Sequence, residues 1–403
     1  MDVDNAFLYG DLEKEVYMTL PPGFRTSTTN KVCKLHKSLY GLKHAPRQWF
    51  AKLSSQLLEY DFVSSYADYS LFTYQKNGKF MALLVYVDDL VLTGNDHDPC
   101  SAFKAYLHCC FHIKDLGPLK YFLGIEVARN SEGLFLSQRM YALEIVEKRG
   151  LVGVKPVDFP METNHKLGLA TGKFLDDPTQ YRRLVGRLIY LTITRPELSY
   201  SVHILSQFMQ DPREDHMATA KHVLRYLKGN PRQGLFMKTD SNLQLVAYYD
   251  SDWGACPITR RSLTGYFITL GGSPISWKTK KQTTASRSSA EAEYRAMAAV
   301  TSELIWIHSL LASLRVFVKL PIRLFYDNQA ALHIAKNPIF HKRTKHIDID
   351  CHFIRERILS GELIIDCLPS KYQIADIFTN ALGKRQFMFL QSKLDIVNLH
   401  APT

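Results

Sequence analysis

Residues 83–94 read LLVYVDDLVLTG, and two adjacent carboxylates, Asp88 and Asp89, stand inside this otherwise apolar stretch. A charge buried without a partner is costly, so such acids need a cation, a hydrogen-bond network or an exposed turn. The two β-prone runs from Met81 to Leu92 predict a hairpin whose tip carries both acids. At a hairpin tip, Asp serves a turn as readily as it serves a metal. A third acid shifts that balance. Asp2, in MDVDNAFLYG, precedes an apolar strand-to-helix passage containing Phe7 and Leu8, so it can stand at a strand end beside the tip. Three converging carboxylates make a site for two divalent cations, which clamp the attacking and leaving oxygens of an in-line phosphoryl transfer.

A second set of acids lies in the last third. VAYYDSDWGA puts Asp250 and Asp252 at the end of a strand, and SRSSAEAEYRAM opens a helix bearing Glu291 and Glu293. LFYDNQAA puts Asp327 at another strand end, and QIADIFTNAL puts Asp376 on the last helix. Four acids from four elements are expensive to gather unless a metal offsets their repulsion. Ser288 and Glu291 have the S-x-x-E spacing of a capping box, which gives Glu291 structural work. Glu293 lies about 200° further round the helix and can face the metals. Asp250 and Asp252 share one strand face by alternation, so spacing leaves the choice between them open.

The elements that must position these acids are legible in outline. KSLYGLKHAPRQWFAKLSSQLLEY begins as a Gly- and Pro-punctuated loop and continues as a helix with Trp49, Leu53, Leu57 and Leu58 on one face. With the hairpin it forms one compact α+β unit. From Leu116 to about Gly150 the pattern gives a strand, a turn at Asn130 to Gly133, another strand and a helix. Residues 155–180 have three prolines, two glycines and little periodicity, which predicts a linker or extended connection. Tyr181 to Lys228 carries two helical patterns broken by Arg195-Pro196 and Asp211-Pro212. Beyond it, strands at Leu243 to Tyr249, Leu263 to Leu270 and Ile275 to Lys278 precede a long helix from about Ser289. Strands at Ile322 to Tyr326 and Leu363 to Cys367, with helices after Asn328 and Gln373, complete a mixed α/β domain.

Composition frames the partners. At 403 residues the chain exceeds one ordinary core, and about 150 residues per domain gives two or three. Hydrophobic residues at 46% and charged ones at 22% exclude a wholly disordered chain. Fifty Lys plus Arg against 39 Asp plus Glu give +11, dispersed along the chain, which favours a polyanion such as nucleic acid. The seven Cys are odd in number with no C-x-x-C pair, so neither a disulfide framework nor a zinc ribbon is indicated, and a reducing intracellular setting fits. The N-terminus lacks the pattern of a signal peptide. Ala298 to Val318 is interrupted by Glu303, His308 and Arg315, which reads as a buried amphipathic helix rather than a membrane span. His341, His346, Cys351 and His352 in FHKRTKHIDIDCHFIRER lack the spacing of a closed zinc site, and their basic neighbours would repel a cation. That segment reads as a basic surface for phosphates, with His352 a packed helix residue. Trp253 and Trp277 read as core aromatics.

The combination MDVDNAFLYGDLEKEVYMTLPPGF, KSLYGLKHAPRQWF and LLVYVDDLVLTG resembles the reverse transcriptase of copia-type LTR retrotransposons, with Tyr86-Val87-Asp88-Asp89 as its Y-x-D-D motif. The resemblance continues through FLGIEV, LSQRMYALEIVEK, YRRLVGRLIYLTITRPELSY and LRYLKG into an RNase H domain. It implies an α+β polymerase palm with a helical thumb or connection, followed by a mixed α/β RNase H-like domain. On this parse, 1–154 is palm and following subdomain, 155–180 connection, 181–240 helical region, 241–385 RNase H-like domain and 386–403 a tail. The resemblance further implies that Asp2, Asp88 and Asp89 hold the polymerase metals, and that Asp250, Glu293, Asp327 and Asp376 hold those of RNase H. Two Mg²⁺ or Mn²⁺ ions per site would be the cofactors. It places Phe7 against the sugar 2′ position, and Gly41 and Lys43 near template and incoming nucleotide. The implied partners are an RNA template, a DNA primer, the RNA–DNA hybrid and deoxynucleoside triphosphates, with no membrane. The implied location is cytoplasmic, in a virus-like particle, or nuclear. Family members continue upstream of the residue matching Asp2 with a fingers region. The expectation is therefore a polyprotein fragment with an impaired polymerase half, or else an inactive remnant acting at most as a basic nucleic-acid-binding protein. Asn380 stands where Lys is usual and Leu263 where Ser is usual; neither removes an expected ligand.

Overall fold

In the computed structural model, residues 1–24, 31–151, 153–327 and 348–398 are described. The chain divides into two compact units, one comprising 1–119 with 309–316 and the other 120–308 with 317–403.

The first unit is built on a six-stranded sheet. Its strands begin with β1 (Asp2–Val3), and a separate hairpin follows from β2 (Asp11–Met18) and β3 (Cys33–Lys37). Helix α1 (Ala45–Glu59) carries Pro46 in its first turn, where a fixed φ and a missing N–H are tolerated. Trp49, Leu53 and Leu57, spaced one turn apart, are fully buried, whereas Leu58 is 56% exposed and falls off the apolar face. Next come β4 (Val63–Ser64), β5 (Leu71–Lys76), β6 (Lys79–Tyr86) and β7 (Asp89–Gly94). Helix α2 (His97–Cys110) is N-capped by Asp96, whose carboxylate accepts from the Asp98 N–H at 3.0 Å. It leads to β8 (Ile113–Lys114). The sheet order is β4-β5-β6-β7-β1-β8. Its core joins Val3, Trp49, Leu53, Phe72, Leu83 and Phe103.

The second unit holds two sheets. Strands β9 (Tyr121–Phe122), β10 (Ile125–Arg129) and β11 (Gly133–Ser137) precede α3 (Arg139–Lys148), as the sequence pattern predicts for the turn at Asn130 to Gly133. The stretch from Tyr181 to Lys228 forms three helices rather than two: α4 (Pro178–Leu191), α5 (Ser199–Ser206) and α6 (Glu214–Gly229). The break at Arg195-Pro196 becomes a single 3-10 turn leading directly into α5, which the apolar count alone merges with its neighbour. After β12 (Gln233–Lys238) come β13 (Gln244–Asp252), β14 (Leu263–Leu270) and β15 (Ser273–Lys281). Then follow α7 (Ser289–Ser313), β16 (Lys319–Tyr326), α8 (Asp348–Leu359), β17 (Leu363–Cys367), α9 (Lys384–Gln391) and β18 (Ile396–Asn398).

One sheet runs β18-β12-β11-β10-β9 and the other β15-β14-β13-β16-β17. In the latter, β13, β14 and β15 are antiparallel, while β13-β16 and β16-β17 are parallel. The parallel pairs require crossovers, and the long α7 supplies the first. By length and composition this helix is long and apolar enough to cross a membrane, but Ala292, Ala296, Met297, Val300 and Leu304 are buried within the protein. The central core gathers α3 to α6 with Leu263, Phe267, Phe378, Phe387 and Leu390, so α9 is anchored through two buried side chains.

Two aromatic assignments divide. Trp277 is partly buried and donates its indole N–H to the Thr192 carbonyl at 2.9 Å. Trp253 is 52% exposed, with only its indole N–H tied, to the Ser286 carbonyl at 2.9 Å; it is not a core ring.

Candidate active sites

In the first unit the hairpin β6-β7 closes through Tyr86 opposite Asp89, leaving Val87 and Asp88 as its two-residue tip. Strand β1 lies against β7 with Asp2 directly across from Asp89. The Val3 N–H donates to the Asp88 carbonyl at 3.0 Å, and the Leu90 N–H to the Met1 carbonyl at 2.9 Å. This register brings Asp2, Asp88 and Asp89 together, all half-buried. Burial pushes the Asp89 carboxyl up, and the charges of Asp88 and Asp2 push it further.

The tip is held under strain. Val87 has φ +56°, a left-handed conformation that a β-branched residue rarely adopts. Its carbonyl accepts from the Trp49 indole N–H at 2.6 Å, so a core side chain of α1 pins the turn that carries the acids. Sequence reading gives Trp49 only a packing role; the hydrogen bond was not visible there.

Phe7 lies in a 3-10 turn, Ala6–Tyr9, half-buried, with its ring 4.6 Å from that of Tyr40. Tyr40 is a site neighbour that the motifs did not single out, although it stands beside Gly41 in SLYGL. Burial pushes its phenol up, followed by the charges of Asp88 and Asp2. Gly41 has φ +90°, and an added Cβ would meet nothing within 4 Å, so this glycine is needed for its backbone and not for space. Lys43 is exposed in the loop ahead of α1.

In the second unit four acids face one another. Asp250 near the end of β13 and Glu293 in the first turns of α7 are both buried. Asp327 follows β16, and Asp376 sits in a 3-10 turn, Ile374–Phe378, rather than on the α-helix expected from QIADIFTNAL. A tight turn serves there because Gly265 of β14 lets it approach. A Cβ at 265 would stand 2.7 Å from Thr379 Cγ2 and 2.8 Å from Phe378 Cβ.

Burial, then the charges of Asp250, Asp327 and Asp376, lift the Glu293 carboxyl to about 9. Burial, then Asp250 and Asp327, lift Asp376 to about 8. Asp250 rises to about 6 through burial, held back by the Thr379 hydroxyl, which donates to its Oδ2. Asn380 donates to Thr379 Oγ1 at 3.0 Å, so the Asn found where Lys is usual orders this contact. Neither Thr379 nor Asn380 was among the expected site residues.

The choice left open between Asp250 and Asp252 acquires geometry. Asp252 is raised by burial alone, whereas Asp250 feels Asp327 and Asp252. Two residues along the strand, about 7 Å, separate them. Asp252 instead lines a cavity with His165, Tyr200 and Cys256. Glu291 is occupied as a cap: its carboxylate accepts from the Arg287 N–H at 2.8 Å, its own N–H donates to Ser288 Oγ at 3.2 Å, and Arg295 pairs with it at 2.9 Å.

Among the described residues, no three His, Cys, Asp or Glu side chains are already drawn to ligand spacing. The donor chemistry of both clusters nonetheless fits a divalent cation. Hard carboxylate oxygens face one another, and the charges that lift Glu293 and Asp376 are those of the other acids of the cluster. His341 and His346 and most of the basic segment lie outside the described residues. His352 is exposed on α8, with Nδ1 3.5 Å from Glu356, and is not a packed residue.

A family model described as reverse transcriptase (RNA-dependent DNA polymerase) matches residues 1–163. The chain is 45% identical over 400 residues to the retrovirus-related Pol polyprotein from transposon RE1 of Arabidopsis thaliana, covering 99% of the chain and 27% of that protein. It is 34% identical over 414 residues to the retrovirus-related Pol polyprotein from transposon TNT 1-94 of Nicotiana tabacum, covering 100% of the chain and 31% of that protein. The chain thus spans less than a third of the length of these curated relatives. Among solved structures, an RNase H1 from the halophilic archaeon Halobacterium salinarum aligns at 16% identity and TM-score 0.20, covering 33% of this chain and 90% of that one. So low a TM-score establishes no shared fold.

Proposed function

The chain belongs to the reverse-transcriptase family of copia-type retrotransposon Pol polyproteins, and from that premise we propose that it carries two phosphoryl-transfer sites, an RNA-directed DNA polymerase site in the first unit and a ribonuclease H site in the second. The observation that carries the second assignment is the cluster of Asp250 and Glu293, both buried, with the half-buried Asp327 and Asp376, four acids from four elements turned on one another. A fold does not hold such a cluster for stability, since each neighbour raises the cost of ionising the others. That argues against the reading of an inactive basic remnant.

In this proposal the first unit is the palm. Asp2, Asp88 and Asp89 hold two Mg²⁺ or Mn²⁺ ions, and Asp250, Glu293, Asp327 and Asp376 hold two more. When bound, the ions supply Lewis-acid charge at the reacting phosphate and lower the pKa of bound water. The chain's own residues do the rest. Trp49 fixes the strained tip so that Asp88 and Asp89 present their oxygens on one side. The Phe7 ring, braced by Tyr40, closes space beside the sugar and disfavours a 2′-hydroxyl, while Gly41 and Lys43 face the template and incoming deoxynucleotide. Thr379 holds the Asp250 carboxyl in one orientation. The partners are an RNA template, a DNA primer and the hybrid between them, met inside the cell in the cytoplasm or nucleus.

The test uses the full chain with Mg²⁺ or Mn²⁺ and a labelled RNA–DNA hybrid. Cleavage of the RNA strand is expected, and Asp250→Asn or Glu293→Gln should each abolish it. Undiminished cleavage in both variants would overturn the assignment. Primer extension on an RNA template reads the other site, and extension that survives Asp88→Asn would remove Asp88 from it.

A further inference from the structure

Beside the acid quartet, the second unit holds a cluster of rings that neither proposed site uses. Tyr248 of β13 and Phe325 of β16 stand side by side, their rings 5.3 Å apart and 18° from parallel. Tyr372, in the 3-10 turn Ser370–Tyr372, and Phe389 of α9 face each other across 6.0 Å. These four rings, with Ile374 and Lys393, line a cavity of 260 Å³. Rings that only fill a core are sealed, but Tyr372 is 45% exposed and Phe389 36%. Three cations lie over rings of the cluster. Arg323 is 5.0 Å from the centre of Phe325, Lys371 4.6 Å from that of Tyr372 and Lys393 5.5 Å from that of Phe389. Arg323 is anchored by Asp366, which accepts from Nε at 2.9 Å and Nη2 at 2.7 Å. Among the described residues, the other ion pair close by joins Lys238 to Asp395, so Lys371 and Lys393 keep their charge for another partner. Lysine is depleted where protein packs on protein, whereas rings flanked by lysines suit a chain of flat bases on an anionic backbone. A cavity below about 300 Å³ is too small for a larger organic ligand but admits one flat heterocycle. That base must be unpaired, since a duplex already covers both of its faces.

We propose that this cavity is a further nucleic-acid site, separate from both acid clusters, in which the rings stack one unpaired base of single-stranded DNA while Lys371 and Lys393 meet the flanking phosphates. The lining side chains offer only two tyrosine hydroxyls and one ammonium as polar groups, so a deoxyribose packs there without a 2′-hydroxyl to satisfy. Tyr248 and Phe325 stand two residues before Asp250 and Asp327, about 7 Å away by strand rise. A strand seated on the rings is therefore held next to the quartet without entering it.

The experiment incubates the full chain with single-stranded oligothymidylate carrying one 5-iodouracil, a base that couples under light to a ring stacked on it. Chelator is present, so the result does not depend on either acid cluster being active. Adducts are mapped by peptide mass spectrometry and their yield is followed against oligonucleotide concentration. They are expected at Tyr248, Tyr372 or Phe389, and not there when the same oligonucleotide is annealed to its complement. Phe389→Ala should raise the concentration for half-maximal adduct at Tyr372 about tenfold, the effect of losing one stacked ring. Met388→Ala, an exposed neighbour on the same helix, should leave it unchanged. Lys393→Ala should lower the slope of log affinity against log salt by about 0.7, one phosphate of a single strand. An RNA of the same sequence should bind at these rings no more tightly than the DNA. Adducts that are absent from the rings, that form equally with duplex, or that neither Phe389→Ala nor Lys393→Ala moves would overturn the proposal, and a preference for RNA there would overturn the assignment to DNA. Self-association of the chain that Phe389→Ala abolishes while the adducts stay unchanged would likewise overturn it, in favour of a contact between copies.

Discussion

The buried acids of the second unit dictate how stability should change with pH. Glu293 at about 9, Asp376 at about 8 and Asp250 at about 6 all sit above the ordinary carboxylate range. A carboxyl whose pKa is raised on folding holds its proton more tightly in the folded chain. Its stabilising contribution is full below the unfolded value and is lost as pH rises through the folded value. The three carboxyls repel one another and Asp327 acts on all of them, so their displacements do not add. If the cluster holds one proton more than the unfolded chain between pH 5 and pH 8, the loss is about 1.4 kcal/mol per unit, about 4 kcal/mol in all. For a unit of this size that is a fall in melting temperature on the order of 10 °C. The assay is thermal unfolding in chelator at pH 5, 6, 7 and 8, followed by the same series with Mg²⁺. The fall should appear in chelator and shrink with the ion, because a bound cation replaces the protons, most of all at pH 8. Glu293→Gln in chelator should flatten the curve. A melting temperature that is constant or rises from pH 5 to pH 8 in chelator would refute the reasoning.

Three further outcomes follow from single contacts. Thr379→Val removes the hydroxyl that restrains Asp250, so its carboxyl should titrate higher and hybrid cleavage should need more Mg²⁺ for half-maximal rate; an unchanged Mg²⁺ requirement would exclude a positioning role. Trp49→Phe deletes the bond to the Val87 carbonyl, at a cost of about 1–2 kcal/mol by denaturant unfolding, and should slow primer extension more than hybrid cleavage. Arg195 and Glu197 form a fully buried pair at 2.6 Å. Arg195→Met alone should cost about 3–5 kcal/mol by leaving Glu197 unpaired, whereas Arg195→Met with Glu197→Leu should recover most of that; equal costs would show that the charge was never uncompensated.

Local patterns carried much of this architecture. The hairpin over Met81 to Leu92 is readable because two β-prone runs flank a polar pair, and the register that sets Tyr86 opposite Asp89 follows from a two-residue tip. The capping role of Glu291 is readable from S-x-x-E spacing, since both partners lie within one helical turn. What escaped reading depends on distant residues. The 3-10 turn under Asp376 exists because β14 has a glycine at 265, more than a hundred positions away in sequence. Thr379 reaches Asp250 across 129 positions, and Trp49 reaches Val87 across 38. Leu58 and Trp253 show the converse error. An apolar residue next to a helix stripe or a strand end is assigned to the core by type, but only the partner surface decides.

The two acidic clusters therefore differ in what they cost the chain without metal. Asp2 and Asp89 face each other across adjacent antiparallel strands, and Asp88 sits on the open tip, so water screens the trio and only a strained valine and one indole bond are committed to it. The quartet is gathered by a parallel crossover and a close-packed turn into a site where Glu293 and Asp250 are buried, and repulsion there acts in low dielectric. Metal-dependent stabilisation should accordingly reside in the second unit. Glu293→Gln should remove most of the rise in melting temperature that Mg²⁺ produces at pH 8, and Asp89→Asn little of it. Equal losses in the two variants would mean that the half-exposed trio stores as much electrostatic free energy as the more deeply set quartet, against the difference in their solvent screening.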